Sequence, residues 1–417
     1  MDKDVIKRII VEYQDFTSGI DIVRRDISLS DGMNYVLVGL RRAGKSYLLY
    51  QQIRNLIAAG HKPEEILYFN FEDDRLDGIR LADLDTIKLC YEEMYSHRPI
   101  FFFDEIQNVD GWEHFARRLA DQKYRVYITG SNAKMLSMEM AGVLGGRFMI
   151  QPVTPYTFSE FLTASGLALA DNWIYSPVRN DVVRLFDVYF RYGGLPELHS
   201  VDAGMKRSWL NNLYNKIFFG DILARYSIRN SNALKVLIRK LAESVKQPSS
   251  LTRLANIVSS AGGKVRPETV ADYISYAEES CLIFSIENYA AKIVDKVSNK
   301  KYYFTDNGIL NLFLVDPVTS LLENIVATNL NRLYHDELCF YNDGVEVDFY
   351  LWEQQTAIQV AYSLSDRDTL RREVDALVKL ADRCTVRKMQ IITYDESDII
   401  DTPAGQIEVV PVWKWCL

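Results

Sequence analysis

Five short runs that are apolar almost throughout, at 35–39, 66–71, 100–105, 126–130 and 148–153, alternate with stretches whose apolar residues recur at helical spacing. Unbroken apolar runs mark strands buried on both faces, and strands separated by helices pair in parallel. The pattern therefore predicts a doubly covered α/β sheet. After the first run, Leu48, Leu49, Ile53, Leu56 and Ile57 fall on one helical face that stops at Gly60. The order there is strand, loop, helix.

Beyond the sheet the period changes. Residues 181–229 read as helical but are interrupted at Tyr192-Gly-Gly-Leu-Pro-Glu197, which a helix interior hardly tolerates, and a small helical lid is expected. Helical stretches at 233–245, 251–260 and 267–280 precede strand-like runs at 282–289 and 301–305, an order that suggests a winged helix. The remainder gives a helix (319–334), strands at 338–342, 345–352 and 357–362, a helix (370–384) and a strand (388–394). Tyr189, Tyr192, Trp209, Tyr214 and Phe218 recur at helical spacing, which favours packing over base stacking.

Composition adds limits. At about 100–200 residues per domain, 417 residues suggest two to four units. An apolar share of 48% and a charged share of 25% are those of a globular protein. No apolar run approaches the roughly 20 residues of a membrane span. The opening Met-Asp-Lys-Asp-Val-Ile-Lys-Arg lacks the apolar stretch of a secretory signal, so a cytoplasmic location is expected. Cys90, Cys281, Cys339, Cys384 and Cys416 show no C-x-x-C spacing, so neither a disulfide framework nor a zinc site is indicated. The net charge of -8 argues against a chain coated in nucleic acid, although residues 230–301 reverse the sign, with 11 Lys/Arg against 7 Asp/Glu. Lys264 and Arg266 before a helix, and Lys300-Lys301 in the expected wing, would form a DNA-facing surface there.

The chemistry concentrates in the first sheet. Gly39-Leu40-Arg41-Arg42-Ala43-Gly44-Lys45-Ser46 fits G-x-x-x-x-G-K-[ST] between a predicted strand and helix. The glycines permit a loop whose backbone N–H groups wrap phosphates, with a helix N-terminus aimed at the same anion. Lys45 is expected at the β- and γ-phosphates, Ser46 at magnesium, and Tyr47 beside them at the start of the helix. The strand Ile100-Phe-Phe-Phe-Asp-Glu105 ends in two acids at the ligand-facing edge of such a sheet, with the strand at 66–71 expected between it and the phosphate loop. Asp104 is expected to hold magnesium through water, and Glu105 to polarise the attacking water. Thr129, Ser131 and Asn132 follow another strand and are placed to read the γ-phosphate. Arg147, just before the last strand, is placed to act on transition-state charge from a neighbouring subunit.

The phosphate loop, the FFFDE strand, the TGSN strand end and the GGRF arginine resemble the AAA+ ATPases over about residues 1–230. The likeness is strongest to prokaryotic ATPases that join an AAA-type core to a C-terminal domain of unknown function. In that group a Gly-x-Pro turn in the lid lies against adenine, and Gly194-Leu-Pro196 matches it. The resemblance implies magnesium-ATP hydrolysis and homo-oligomerisation. The C-terminal order of elements resembles restriction-endonuclease-like nucleases, with Glu323, Glu346 and Asp348 as candidate acids. Gln359 stands where a charged ligand is expected, and Ala361 where a lysine is, so cleavage is not expected. The expected domains are an ATP-binding core (1–170), a helical lid (171–229), a winged helix (230–316) and a degenerate nuclease-like domain (317–417). The expected function is an ATPase switch or remodelling module acting on a protein partner. The alternative is an ATP-gated DNA-binding or DNA-processing protein.

Overall fold

Ile100-Phe-Phe-Phe-Asp104 has no exposed position. A run this apolar is stable only with a layer on each face, and the computed structural model, which describes residues 2–131 and 142–417, places it inside a five-stranded sheet. The strands are β1 (Asn34–Val38), β2 (Ile66–Asn70), β3 (Ile100–Asp104), β4 (Val126–Gly130) and β5 (Phe148–Pro152). Their order is β2-β3-β4-β1-β5, and every pairing is parallel. This bears out the expected α/β class.

The order corrects one expectation. The strand between the phosphate loop and the two acids is β4, whereas β2 lies at the far edge. A parallel crossover need not land beside its parent strand. The chain leaves β1, builds β2, β3 and β4 back toward it, then closes on its other side with β5. That reversal makes β1 the switch point, where the ends of neighbouring strands open a ligand crevice.

Helix α1 (Lys3–Gly19), which the sequence pattern did not predict, packs on β2 and on α3 (Leu81–Met94). Asp2 caps it by accepting from the Asp4 N–H at 2.9 Å. Helix α2 (Lys45–Ala58) buries Leu48, Leu49, Ile53 and Leu56 against Leu37, Tyr68, Phe102 and Tyr127 of the sheet. On the opposite face, α4 (Trp112–Asp121) sets Phe115 against Phe103, ring centres 6.0 Å apart.

The chain divides into two compact units, Met1–Thr154 and Pro155–Leu417. In the second, helices Ser231–Glu243, Leu251–Gly262 and Pro267–Glu279 precede a hairpin of β7 (Ile283–Asn288) and β8 (Asn299–Phe304), with the two-residue β6 (Ser249–Ser250) on β8. The C-terminal strands are β9 (Leu338–Asn342), β10 (Glu346–Leu351), β11 (Thr356–Val360), β12 (Lys388–Thr393), β13 (Asp398–Thr402) and β14 (Gly405–Pro411). Because Glu287 and Asn288 pair with Cys339 and Phe340, the hairpin and these strands form one nine-stranded sheet, β13-β14-β12-β11-β10-β9-β7-β8-β6.

The helix Val178–Tyr192 ends at Gly193, whose φ of 78° suits glycine. Asp306, buried at the end of β8, accepts from the N–H of Gly194 (2.9 Å), Gly308 (2.8 Å) and Ile309 (3.2 Å). Tyr189 and Phe218 are buried, in keeping with the packing role expected for the aromatic helices. No helix among the described residues is long and apolar enough to cross a membrane. All five cysteines are free thiols.

Candidate functional site

Val38 pairs with Gly130 and Phe103 with Ile128, so β1, β4 and β3 end side by side and their following residues face one crevice. The phosphate loop leaves β1 through Gly39. A Cβ there would lie 2.0 Å from the Val153 carbonyl oxygen, so close approach of backbone to backbone is what demands glycine at this end. At the other end the demand is conformational: Arg42 (φ 63°) and Gly44 (φ 97°) are both left-handed. Gly44 is the N-cap of α2 and offers no side-chain cap, which leaves the first N–H groups of the helix for a ligand.

Leu40 and Ala43 are buried beneath the loop, and Arg41 pairs with Glu72 at 3.2 Å. The Lys45 ammonium, 4% exposed, donates to Gly39 O (3.2 Å) and Leu40 O (3.3 Å) and lies 3.5 Å from Glu105 Oε1. Tyr47 is exposed, its ring edge-on to Tyr50.

Asp104 is fully enclosed. Tyr68 of β2 donates to its Oδ2 at 2.5 Å, and the Thr129 hydroxyl donates to its Oδ1. Burial, then the neighbouring Glu105, push the Asp104 carboxyl above its usual range, while hydrogen bonds from Thr129, Tyr68 and Ser46 work the other way. Glu105 adopts φ 53°, a left-handed conformation uncommon for glutamate, and its N–H donates to Thr129 Oγ1 at 2.9 Å. Gln107 Nε2 donates to Glu105 Oε2 and lies 3.4 Å from Ser131 Oγ. Burial raises the Glu105 carboxyl, but the Lys45 ammonium and the Gln107 bond outweigh it and leave the group below its ordinary value, hence ionised.

Lys45, Ser46, Asp104, Glu105, Thr129 and Ser131 are thus brought to one crevice. Asn132 lies outside the described residues. No three His, Cys, Asp or Glu gather as metal ligands among the described residues. A hydroxyl and a carboxylate in contact beside a phosphate loop suit magnesium, which is commonly held by one or two carboxylates together with substrate phosphates. Ser46 and Asp104 are the residues that can contribute. Tyr68 and Gln107 were missed in the sequence, although a tyrosine inside a buried apolar strand signals a partner for its hydroxyl.

Arg147 precedes β5, pairs with Asp121 and donates to Gly145 O at 3.1 Å. Pro196 lies in the second unit and opens the short helix Pro196–Ser200.

The second unit holds a cavity of about 810 Å³ lined in part by Lys246, Glu323, Glu346, Asp348, Arg372 and Glu373. Here the structure overturns an expectation. Lys301 is not on a DNA-facing wing: its side chain is 0% exposed, and its ammonium lies 3.2 Å from Glu323, 3.0 Å from Asp348 and 3.7 Å from Glu346. Lys300 pairs with Glu287 at 3.1 Å. In β8, the second strand of the hairpin, alternation turns Lys301 inward, where the carboxylates outweigh burial and hold the ammonium above its ordinary range. Burial raises the Glu323 carboxyl, with neighbouring Asp348 adding to the rise, although the Lys301 ammonium and the Tyr303 hydroxyl pull the other way. Of the two acids on β10, Glu346 is solvent-facing at 51% exposure while Asp348 is turned to the buried ammonium, and Glu323 is buried on its helix. The Gln359 amide is spent on backbone, accepting from Asp348 N at 2.8 Å and donating to Glu346 O at 3.2 Å. Ala361 packs in the apolar cluster with Val347 and Leu377.

Residues 32–162 match the model of the AAA domain, and residues 183–318 match a domain of unknown function, DUF8612. The uncharacterized protein MJ1544 of Methanocaldococcus jannaschii is 31% identical over 435 residues, covering 100% of this chain and 96% of that protein. An uncharacterized protein of Haemophilus influenzae is 30% identical over 394 residues, covering 92% and 94%. Among solved structures, the ORC1 protein of Aeropyrum pernix in complex with DNA is 14% identical, with a TM-score of 0.31 and coverage of 76% of this chain and 93% of that one. AMPPCP-bound DnaA of Aquifex aeolicus is also 14% identical, with a TM-score of 0.26 and coverage of 66% and 88%. On the full-length likeness to the archaeal and bacterial relatives, the chain belongs to their family, and its first unit carries an AAA domain.

Proposed function

We propose that the chain binds magnesium-ATP at the phosphate loop, hydrolyses it, and uses the cycle to switch or remodel a macromolecular partner. The observation that carries this reading is the placement of Glu105 3.5 Å from Lys45 at the loop, while Thr129 and Tyr68 fix Asp104 behind it. The loop's N–H groups and the α2 N-terminus bind phosphate oxygens, and the Lys45 ammonium moves from its own carbonyls to the β- and γ-phosphates. Magnesium, when bound, neutralises charge on the transferring phosphoryl group. Glu105 orients water and accepts its proton, with Gln107 and the Thr129 hydroxyl setting its direction. Ser131, with Asn132, is assigned to the γ-phosphate.

Arg147 is proposed to serve a neighbouring copy of the chain, for which it must leave Asp121. Pro196 is proposed to contact adenine. A cytoplasmic location fits this reading. The second reading, DNA binding by the helices and hairpin taken as a winged helix, keeps exposed Lys264 and Arg266 but loses Lys301 to the buried network. Nuclease chemistry by a degenerate restriction-endonuclease-like C-terminal fold is not favoured, since Gln359 and Ala361 offer no ligand.

Steady-state ATP turnover by wild type, Lys45→Ala and Glu105→Gln, with and without duplex DNA, tests the proposal. Both variants should lose turnover by about 100-fold or more, Lys45→Ala with weakened binding and Glu105→Gln with binding retained. Equal turnover in all three would sink the ATPase reading. DNA stimulation lost on charge reversal of Lys264 and Arg266 would favour the second reading.

A further inference from the structure

Behind the phosphate loop lies an arginine that the hydrolysis site does not use. Arg25, in the segment before β1, is 4% exposed. Its Nη1 donates to Ala43 O at 3.0 Å and its Nη2 to Thr154 O at 2.8 Å. Gln51 of α2 holds its backbone from both sides, accepting from Arg25 N at 2.7 Å and donating to Arg25 O at 3.1 Å. The guanidinium is rigid and planar, so the two carbonyls it grips are kept in fixed relation.

The two carbonyls differ in kind. Ala43 O belongs to the peptide joining Ala43 to Gly44, inside the phosphate loop. In a trans peptide the C=O and N–H point in opposite directions, so fixing this carbonyl on Arg25 aims the Gly44 N–H away from it. The guanidinium charge also polarises the peptide and makes that N–H a better donor. Thr154 is the last residue of the first unit. Next to it, Val153 N–H donates to Val38 O at 2.7 Å, and Val153 O presses on Gly39. Both ends of the phosphate loop are therefore stitched to the two residues by which the chain leaves the first sheet.

We propose that Arg25 is a positioning residue that sets the Gly44 N–H for phosphate and transmits nucleotide occupancy from the phosphate loop to the exit segment Val153–Thr154. An anion drawing on Gly44 N–H loads the Ala43 carbonyl, Arg25 and Thr154 in series. This inference rests on nucleotide binding at the loop.

Hydrogen–deuterium exchange of the full chain, with and without AMP-PNP and magnesium, tests it. Exchange in peptides spanning 150–156 should slow about three-fold or more in the wild type when nucleotide is added. Arg25→Lys replaces the planar fork with a single nitrogen that cannot hold the two carbonyls in fixed relation, so it should weaken nucleotide binding several-fold and, at saturating nucleotide, lose that slowing. Gln51→Met loosens Arg25 without touching its guanidinium and should lose it too, which covers the case in which Arg25→Lys does not fold. A merely structural role predicts lower stability with the nucleotide-linked slowing intact in both variants, and that result overturns the proposal. Wild-type binding with no slowing at 150–156 overturns it as well, leaving the ATPase reading standing. A wild type that binds no nucleotide removes the ATPase reading itself.

Discussion

Asp306 accepts three backbone N–H bonds, yet burial still pushes its carboxyl up to about 6. In an unfolded chain the group ionises near the ordinary aspartate value of about 3.9. The folded state therefore holds the proton more tightly, and this residue's contribution to stability falls as pH rises from about 4 to about 6, then levels off. Asp306→Asn should flatten the pH dependence of the melting temperature over that window. Identical slopes for wild type and variant by calorimetry would show that Asp306 does not titrate there.

Thr129 is smaller but has two duties, donating to Asp104 and accepting from the left-handed Glu105. Thr129→Val keeps the shape and removes both. ATP turnover should fall by about 100-fold with nucleotide affinity changed only a few-fold, measured by steady-state kinetics beside equilibrium binding. Thr129 was legible in the sequence as a small polar residue ending an apolar strand, although it was placed there for the γ-phosphate and not for Asp104 and Glu105. Tyr68 and Arg25 were not, because their partners are set by which strands become neighbours, and sequence spacing does not state that.

Among elements, the strand containing the phosphate loop depends on its edge partner. Gly39→Ala would drive a methyl group into the Val153 carbonyl, a backbone atom with no rotamer to yield. The variant should melt well below wild type and lose nucleotide binding, whereas Ala at exposed Gly60, which already terminates α2, should cost only the strain of its φ of 103°. Thermal unfolding with fluorescent-nucleotide titration separates the two. The strands and α2 were readable because buried parallel strands are continuously apolar and α2 keeps one face. Helix α1 went unread, since its buried residues, Ile6, Ile9, Ile10, Gln14 and Thr17, include two polar side chains that break the pattern. The β13–β14 hairpin went unread because its first strand is largely exposed and polar.

At the scale of the molecule, the second unit's sheet carries a buried charge network whose members are distant in sequence. Glu323, Asp348 and Lys301 come from a helix, a C-terminal strand and the hairpin that precedes both. Lys301→Met leaves buried carboxylates without their cation and should cost about 3–5 kcal/mol, while Lys301→Met with Glu323→Gln should recover part of it. Urea unfolding of the three proteins measures this. A single variant as stable as wild type would show that the acids protonate at no cost. The alternation of β8 hinted that one of Lys300 and Lys301 points inward. Only the pairing of β7 with β9 revealed what it meets.

That lysine bears on how such a chain can be recombined. A C-terminal segment cut free at residue 317 and joined to a different ATPase would carry its acids but leave their counter-ion behind. It would need a new neighbour that supplies a cation at the same depth. The stretch from residue 299 onward, rather than the last hundred residues alone, is accordingly the smallest piece that takes its own electrical balance with it.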